Sequence, residues 1–406
     1  MKTTHEPVTG RHGAAVAGRA AGSVRALVIL FLHNRYRIPG GEERVVEDLR
    51  WLVRERLGEE AELLGRDSAD TGRVGAAAGL LRGGLEPGEV AAAVHRSGAR
   101  IVHAHNLNPG LGWRSLAAAR TAGARVVLHL HNYRLVCAVG TCVDPAGADC
   151  TRCHGRNTVP GVRLNCRGTG VEAAVYGAAL ALHQRRLVAQ ADAVVVPSVA
   201  ARERLTALGA PPKAREARVL GHVVRTFAAE APAARAQPPR ALVVSRLARE
   251  KDVDVAISAC ARAGLPLTVC GAGPLAAELR AHAAATPGAD VTFAGRVGDE
   301  ELARLRAQAS VALVPSRAHE TFGLAALEAM AAGLPVAASR VGALAELEGD
   351  AVLVAPGDVQ ALADAAGTLA GDPAAGPRAL AAARARAAPD VIAPRLAAVY
   401  ETVAPR

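Results

Sequence analysis

The chain alternates short, nearly unbroken apolar runs with longer stretches in which apolar and polar residues recur at helical spacing. The run at 24–32, Val24-Arg25-Ala26-Leu27-Val28-Ile29-Leu30-Phe31-Leu32, predicts a strand buried on both faces, as in a parallel sheet covered by helices. It ends at His33-Asn34, and a loop containing Gly40-Gly41 leads into a helix predicted from Glu42 to about Leu57. Further strands are predicted at 100–103, 125–129 and 193–196, with Ala/Leu-rich helices between them. Residues 226–239 are Ala/Pro-rich without periodicity and read as a linker. A second series of strands follows at 241–245, 267–270, 291–294, 311–314 and 336–339, and 391–403 predicts a last helix. Strand–helix alternation repeated in this way predicts an α/β protein of two doubly wound domains facing a cleft. Their expected bounds are 24–225 and 240–385, with 386–406 packing back across the junction.

Composition narrows the class. At 406 residues the chain has room for two ordinary cores. Half of it is hydrophobic but only 2% is aromatic, so those cores must be built from Leu, Val and Ala. No uncharged apolar run reaches the length of a membrane span, which predicts a soluble or peripheral protein. Residues 1–23 are polar and Gly/Ala-rich, with Arg19 breaking the apolar stretch; they predict a disordered tail, a poor secretion signal and a cytoplasmic protein. The net charge of +10 is uneven: 151–225 hold twelve Lys/Arg against four Asp/Glu. Such an excess suits phosphorylated ligands or the anionic inner face of a membrane, or is simply a solvated surface. Nucleic acid is not expected as a partner, because the segment lacks interleaved aromatics for base stacking.

Glu320 and Glu328 stand with seven residues between them, in His319-Glu320-Thr321-Phe322-Gly323-Leu324-Ala325-Ala326-Leu327-Glu328. The apolar run before this block and Gly333-Leu334-Pro335 after it frame strand, loop, helix and stop. Glu320 is thus predicted in the loop and Glu328 roughly two turns into the helix. The amides of Thr321, Phe322 and Gly323 would then point outward at a helix N-terminus, where an anion is stabilised. On its own the block reads equally well as a site for an anionic, polyhydroxylated ligand or as an amphipathic helix with a wet acid.

Other motifs bear on that choice. Gly40-Gly41, after a strand and before a helix, lets a phosphate approach backbone closely. Arg246 and Lys251, at and beyond the end of the second domain's first strand, can clamp a diphosphate or be plain surface cations. The pairs His103/His105 and His129/His131 share a strand face and could chelate a metal. With no acid at suitable spacing, one histidine facing the cleft beside a structural neighbour is the better reading. Gly271-Ala272-Gly273-Pro274-Leu275-Ala276 imitates a dinucleotide-binding turn, but Pro274 interrupts it and a tight structural turn is expected. Asp252-Val253-Asp254 resembles an Asp-x-Asp metal site, yet it opens a helical run in which the two acids diverge, and helix N-terminal acids explain it better. Four cysteines follow the spacing Cys137-x12-Cys150-x2-Cys153-x12-Cys166. They predict either a structural zinc knuckle, in which Cys142 could replace Cys137, or free buried thiols.

Taken together, His33-Asn34 with Gly40-Gly41, His129-Leu130-His131-Asn132-Tyr133-Arg134, Ser245-Arg246-Leu247 with Lys251, the Gly271–Leu275 turn and the Glu-x7-Glu block resemble the retaining GT-B glycosyltransferases of family 4 (group 1). That resemblance covers nearly the whole chain after about residue 24. It implies two Rossmann-like domains, the first binding acceptor and the second a UDP- or GDP-sugar. By position it implies that Glu328 holds the ribose, and that Glu320 with Thr321, Phe322, Gly323 and Leu324 holds the donor sugar. It further implies that Arg246 and Lys251 neutralise the departing diphosphate, with Gly40, Gly41 and His131 facing them from the first domain. No catalytic metal or other cofactor is then required, and zinc, if bound, is structural. The acceptor would be a glycan, a lipid-linked or a small molecule, with front-face transfer in which the leaving phosphate helps deprotonate it. A GT-B sugar-nucleotide epimerase and a non-catalytic nucleotide-sugar-binding subunit are the alternatives. Leu220-Gly221-His222 departs from the family's usual Asn- or Asp-Pro-like turn, which bears on the acceptor-side hinge.

Overall fold

The computed structural model describes residues 27–37, 40–230 and 238–405. The predicted tail at 1–23 and residues 231–237 of the predicted linker lie outside the described residues.

The first sheet contains β1 (Val28–Arg35), β2 (Glu60–Asp67), β3 (Ile101–Ala104), β4 (Arg125–His129), β5 (Ala193–Val196) and β6 (Arg218–Val219), in the order β2-β1-β3-β4-β5-β6. The second contains β7 (Ala241–Val244), β8 (Leu267–Cys270), β9 (Val291–Gly295), β10 (Val311–Val314), β11 (Val336–Ser339) and β12 (Val352–Val354), in the order β12-β11-β10-β7-β8-β9. Every pairing in both is parallel. Parallel neighbours need helical crossovers, and apolar residues therefore face helices on both sides of each sheet. Two clusters of buried Leu, Val and Ala flank each sheet accordingly. The fold is GT-B-like: two Rossmann-like domains.

Strands with continuous apolar runs match the sequence pattern to within one residue, except β1, which runs on to Arg35 rather than ending at Leu32. No such run marks the edge strand β2, Glu60-Ala61-Glu62-Leu63-Leu64-Gly65-Arg66-Asp67, in which only Ala61 is buried. Edge strands pair on one side only, so they carry no apolar pattern to read. The short edge strand β12 is hidden for the same reason.

The last helix, Pro389–Val403, leaves the second domain and completes the core of the first. Ile392, Leu396, Val399, Tyr400 and Val403 pack against Ile29, Phe31, Val45, Val46 and Leu49. Tyr400 Oη lies 2.8 Å from His103 Nδ1 beneath the sheet. Chain crosses between the domains twice, and the crossings meet where Val224 N donates to Ala387 O at 2.9 Å. Leu396 is fully buried in this helix–sheet contact. Leu396→Ala is expected to lower unfolding stability by about 2–5 kcal/mol, read by urea denaturation; a loss below ~1 kcal/mol would show that the helix is not part of that core.

Candidate active site

In a doubly wound sheet the crevice for ligands opens at the C-terminal strand ends, where the strand order reverses. In the second domain that point lies between β7 and β10. The turn after β7 carries Ser245, Arg246 and the 3-10 segment Arg249–Lys251; the loop after β10 carries Ser316 through Gly323. The two loops are tied together, since Arg317 N and Ala318 N both donate to Glu250 O, at 3.1 and 3.3 Å.

Glu320 is the centre of this wall. Its Oε1 accepts from Lys251 Nζ at 2.5 Å and from Ser316 Oγ at 2.7 Å. Burial pushes the carboxyl up, but the Lys251 charge, the two hydrogen bonds and the Arg246 charge together hold it below the usual carboxylate range. Arg246 itself is half exposed and paired with Glu250. Glu328 is the fifth residue of the helix Leu324–Ala331, so it sits about one turn in, not two. The helix starts late because Gly323 takes a left-handed φ of 79° at its N-cap. Both oxygens of Glu328 face arginines: Arg306 Nη2 at 2.6 Å and, from the first domain, Arg44 Nη1 at 3.4 Å.

Two other motifs are structural. A Cβ on Gly271 would fall 1.8 Å from Ser245 O, and one on Gly273 would fall 2.2 Å from Leu247 O. That turn therefore packs directly on the Arg246 turn, with Leu247 N donating to Ala272 O at 3.0 Å. Asp252, at the N-cap of Val253–Ala263, is buried and ion-paired with Arg317. Burial raises its carboxyl against the pull of that arginine.

The first domain's switch point, between β1 and β3, faces this wall. Gly40 and Gly41 begin the helix Gly41–Leu57, whose Glu43 accepts from Gly40 N at 2.7 Å and Tyr36 N at 2.9 Å. A Cβ on Gly41 would lie 3.7 Å from Leu324 Cδ2, so the two domains nearly touch here. Three more contacts join them. Thr321 Oγ1 donates to His131 O at 2.9 Å, Tyr133 Oη lies 2.8 Å from His319 Nδ1, and the Phe322 ring lies 4.6 Å from that of His222. Gly221 leaves the space that Phe322 fills, with a Cβ there only 3.1 Å from Phe322 Cε2.

The two histidine pairs lie side by side. His103, His105, His129 and His131 form one buried stack that continues to His33 and His222. Parallel pairing of β3 and β4 brings both i, i+2 pairs onto one face, with His103 against Tyr400 and His131 toward the donor loop. His105 Nδ1 meets His131 Nε2 at 2.7 Å. The trios His103/His105/His129 and His129/His131/His222 bring ligand atoms within 4.8 Å of one another, close enough to hold a metal ion. Burial drives His105, His129 and His131 well below the usual imidazole range, and brings His103 and His222 to about 3. His131 also borders a pocket inside the first domain, lined by Trp113, Leu180, His183, Glu42 and Arg134. Glu42 accepts from Tyr36 Oη at 2.8 Å and Asn132 Nδ2 at 3.2 Å, and burial raises its carboxyl.

Each half of the chain matches a family description: "Glycosyl transferase 4-like domain" over 59–221 and "Glycosyl transferases group 1" over 224–386. Both halves thus resemble glycosyltransferase domains, and they are arranged in a GT-B-like fold. Among relatives, glycogen synthase of Mycobacterium tuberculosis is 36% identical over 220 residues, covering 50% of this chain and 51% of that one. The GDP-mannose-dependent alpha-(1-6)-phosphatidylinositol dimannoside mannosyltransferase of the same species is 37% identical over 202 residues, covering 46% of this chain and 51% of that one. The chain thus spans about half the length of the curated relatives it matches. Anabaena HepE in complex with UDP and glucose superposes with a TM-score of 0.62 at 20% identity, over 93% of this chain and all of that one. Sucrose-phosphate synthase of Thermosynechococcus elongatus gives 0.64 at 20% identity, over 93% and 98%. Among the described residues no helix is long and apolar enough to cross a membrane.

The residues Arg306, Arg44 and Ser316 join the site without a local motif of their own. Only their partners could have indicated them: an acid such as Glu328 in a buried wall requires a cation.

Neutral burial of the histidines has a pH consequence. Unfolded imidazoles titrate at about 6.5, whereas His103 and His222 titrate at about 3 in the fold. Between those values the unfolded chain binds more protons, so stability falls as pH drops from about 6.5 toward 3. Each such group contributes a slope of up to about 1.4 kcal/mol per pH unit. Urea denaturation between about pH 7 and about pH 5 should show a loss steeper than one group allows; a flat profile would contradict neutral burial.

Proposed function

We propose that the chain transfers a sugar, with retention of configuration, from a UDP- or GDP-sugar to a glycan, lipid-linked or small-molecule acceptor. The observation that carries this reading is the Lys251–Glu320 pair at the second domain's switch point, with Arg246 beside it and the Gly40-Gly41 helix terminus opposite. In this reading a nucleoside diphosphate lies between those glycines and the two cations. Lys251 and Arg246 offset the charge that develops as the diphosphate leaves, much as an oxyanion hole does. The ionised Glu320, with the first-turn amides after Gly323, receives the sugar hydroxyls. Glu328 offers Oε1 to the ribose once Arg44 moves toward the diphosphate, while Arg306 keeps hold of Oε2. His131, neutral at ordinary pH, presents its backbone and ring beside the sugar.

The two cations stand where a divalent ion would otherwise neutralise the leaving group, which supports a metal-independent reaction. Retention by a front-face route is supported at Glu42, an acid of the first domain whose carboxylate is engaged by Tyr36 and Asn132. The relatives' names favour transfer over epimerisation or binding alone, and one of them is GDP-mannose-dependent.

Thermal-shift screening of UDP- and GDP-sugars should find one donor that raises stability by mass action. With that donor, Lys251→Ala and Arg246→Ala should each lower kcat by about 100-fold or more while circular dichroism stays unchanged. The product should keep the donor's anomeric configuration by NMR, and Mg2+ or Mn2+ should leave turnover unaltered. Near-wild-type turnover in both variants would refute the assignment.

We also propose a peripheral contact with anionic membrane. The helix Gly170–Ala189 exposes Val171 and Leu182 on one face, and Arg156, Arg185, Lys213 and Arg215 line the groove beside it. The chain should sediment with phosphatidylglycerol vesicles and not with phosphatidylcholine ones, and Arg185→Glu with Arg215→Glu should abolish the difference. Equal sedimentation with both lipids would exclude it.

A further inference from the structure

Five of the seven cysteines lie between 137 and 166, and all five line one small cavity in the lobe between β4 and the helix Gly170–Ala189. None is in a disulfide. The lobe has little regular structure of its own, only the five-residue helix Val159–Arg163 and the isolated bridges Val143–Asp149 and His154–Asn157. So short a segment buries little apolar surface, and lobes of this kind are commonly held by a cross-link or an ion.

The sulfurs are approached by hydrogen-bond donors. Gly140 N donates to Cys137 Sγ at 3.3 Å, and the amides of Val139 and Cys142 point at the same sulfur. The amides of Ala138 and Gly161 point at Cys153. Cys142 lies within hydrogen-bond reach of the Cys137 sulfur. Amide donors turned on a buried sulfur favour thiolate, the form that binds a metal.

We propose that Cys137, Cys150, Cys153 and Cys166 bind one structural Zn2+, with Cys142 remaining a thiol that donates to Cys137. The Cys150-x2-Cys153 pair and one cysteine on either flank give the four-thiolate set that zinc prefers. Zn–S bonds of about 2.3 Å require sulfurs about 3.8 Å apart in a tetrahedron. No three sulfurs are yet within 4.8 Å of one another, so binding draws the side chains inward across the cavity and releases the thiol protons. The histidine trios are closer-set but form a separate cluster, with His129 on His131 at 4.1 Å.

The lobe also reaches the donor wall. Gly147 O accepts from Arg317 Nη1 at 3.5 Å, and a Cβ on Gly147 would lie 3.1 Å from Arg249, the first residue of the turn that ends in Lys251. The ion would therefore set the position of a loop pressed against the diphosphate clamp, without entering the reaction.

The test uses the full chain purified without chelator. Elemental analysis should find about one zinc per chain, and titration of the thiols with a mercurial should release that zinc into a colorimetric indicator. Cobalt exchanged into the site should show the intense visible bands of a tetrahedral tetrathiolate complex. Cys150→Ser with Cys153→Ser should abolish the metal, and Cys142→Ser should keep it. The release assay and cobalt spectrum use wild-type protein, so they decide the matter even where the double variant fails to fold. Zinc near zero, iron–sulfur absorption instead of zinc, or a cobalt spectrum of nitrogen ligation would overturn the proposal. None of these outcomes depends on the donor assay.

Discussion

The parallel pairing of both sheets is the constraint from which the rest follows. A parallel sheet delivers all its C-terminal strand ends, and the loops that leave them, to one edge. With two such sheets facing each other, β1, β3 and β4 send His33, His105 and His131 toward the loops after β7 and β10 that carry Arg246, Lys251 and Glu320. No single loop has to be long. Each functional side chain stands within a few residues of a rigid strand, which is why a 2.5 Å contact can form between Lys251 and Glu320, sixty-nine positions apart.

Charge is arranged around this frame with little left uncompensated. Glu320 has Lys251, Glu328 has Arg306 and Arg44, Asp252 has Arg317, and Glu250 has Arg246. A buried carboxylate deprived of its cation is costly, so each acid fixes the position of its partner. The histidine stack follows the opposite rule: the imidazoles of His103, His105, His129, His131 and His222 share one interior because burial keeps them neutral. Its members meet Tyr400 on one side and Phe322 on the other, so the same neutral column touches both the returning helix and the donor loop.

How much of this could be read from the chain alone varies by element. Central strands such as β8, β10 and β11 were legible because burial on both faces writes an apolar run. β2 was not, because an edge strand may be as polar as Glu60-Ala61-Glu62 and still pair. Glu320, Arg246 and Lys251 stood out as charges at strand ends, and the structure brings them together. The depth of Glu328 in its helix was overstated by a turn, since helical spacing does not reveal that Gly323 delays the start. Arg44, Arg306 and Ser316 were invisible, because a partner that acts across tertiary distance leaves no mark in local pattern. The histidines were seen as pairs but not as a stack, because the register between β3 and β4 decides that and no single strand encodes it.

The returning helix has a consequence for the order of events at synthesis. Ile392, Leu396 and Tyr400 seal the core around Phe31, yet they emerge after the whole second domain has been translated. The domain made first is therefore finished last. Until then its sheet has an open apolar face that the helix Pro389–Val403 covers, and the second domain must fold while tethered to an incomplete neighbour. Once closed, the two crossings of the chain are pinned side by side by the Val224–Ala387 backbone hydrogen bond.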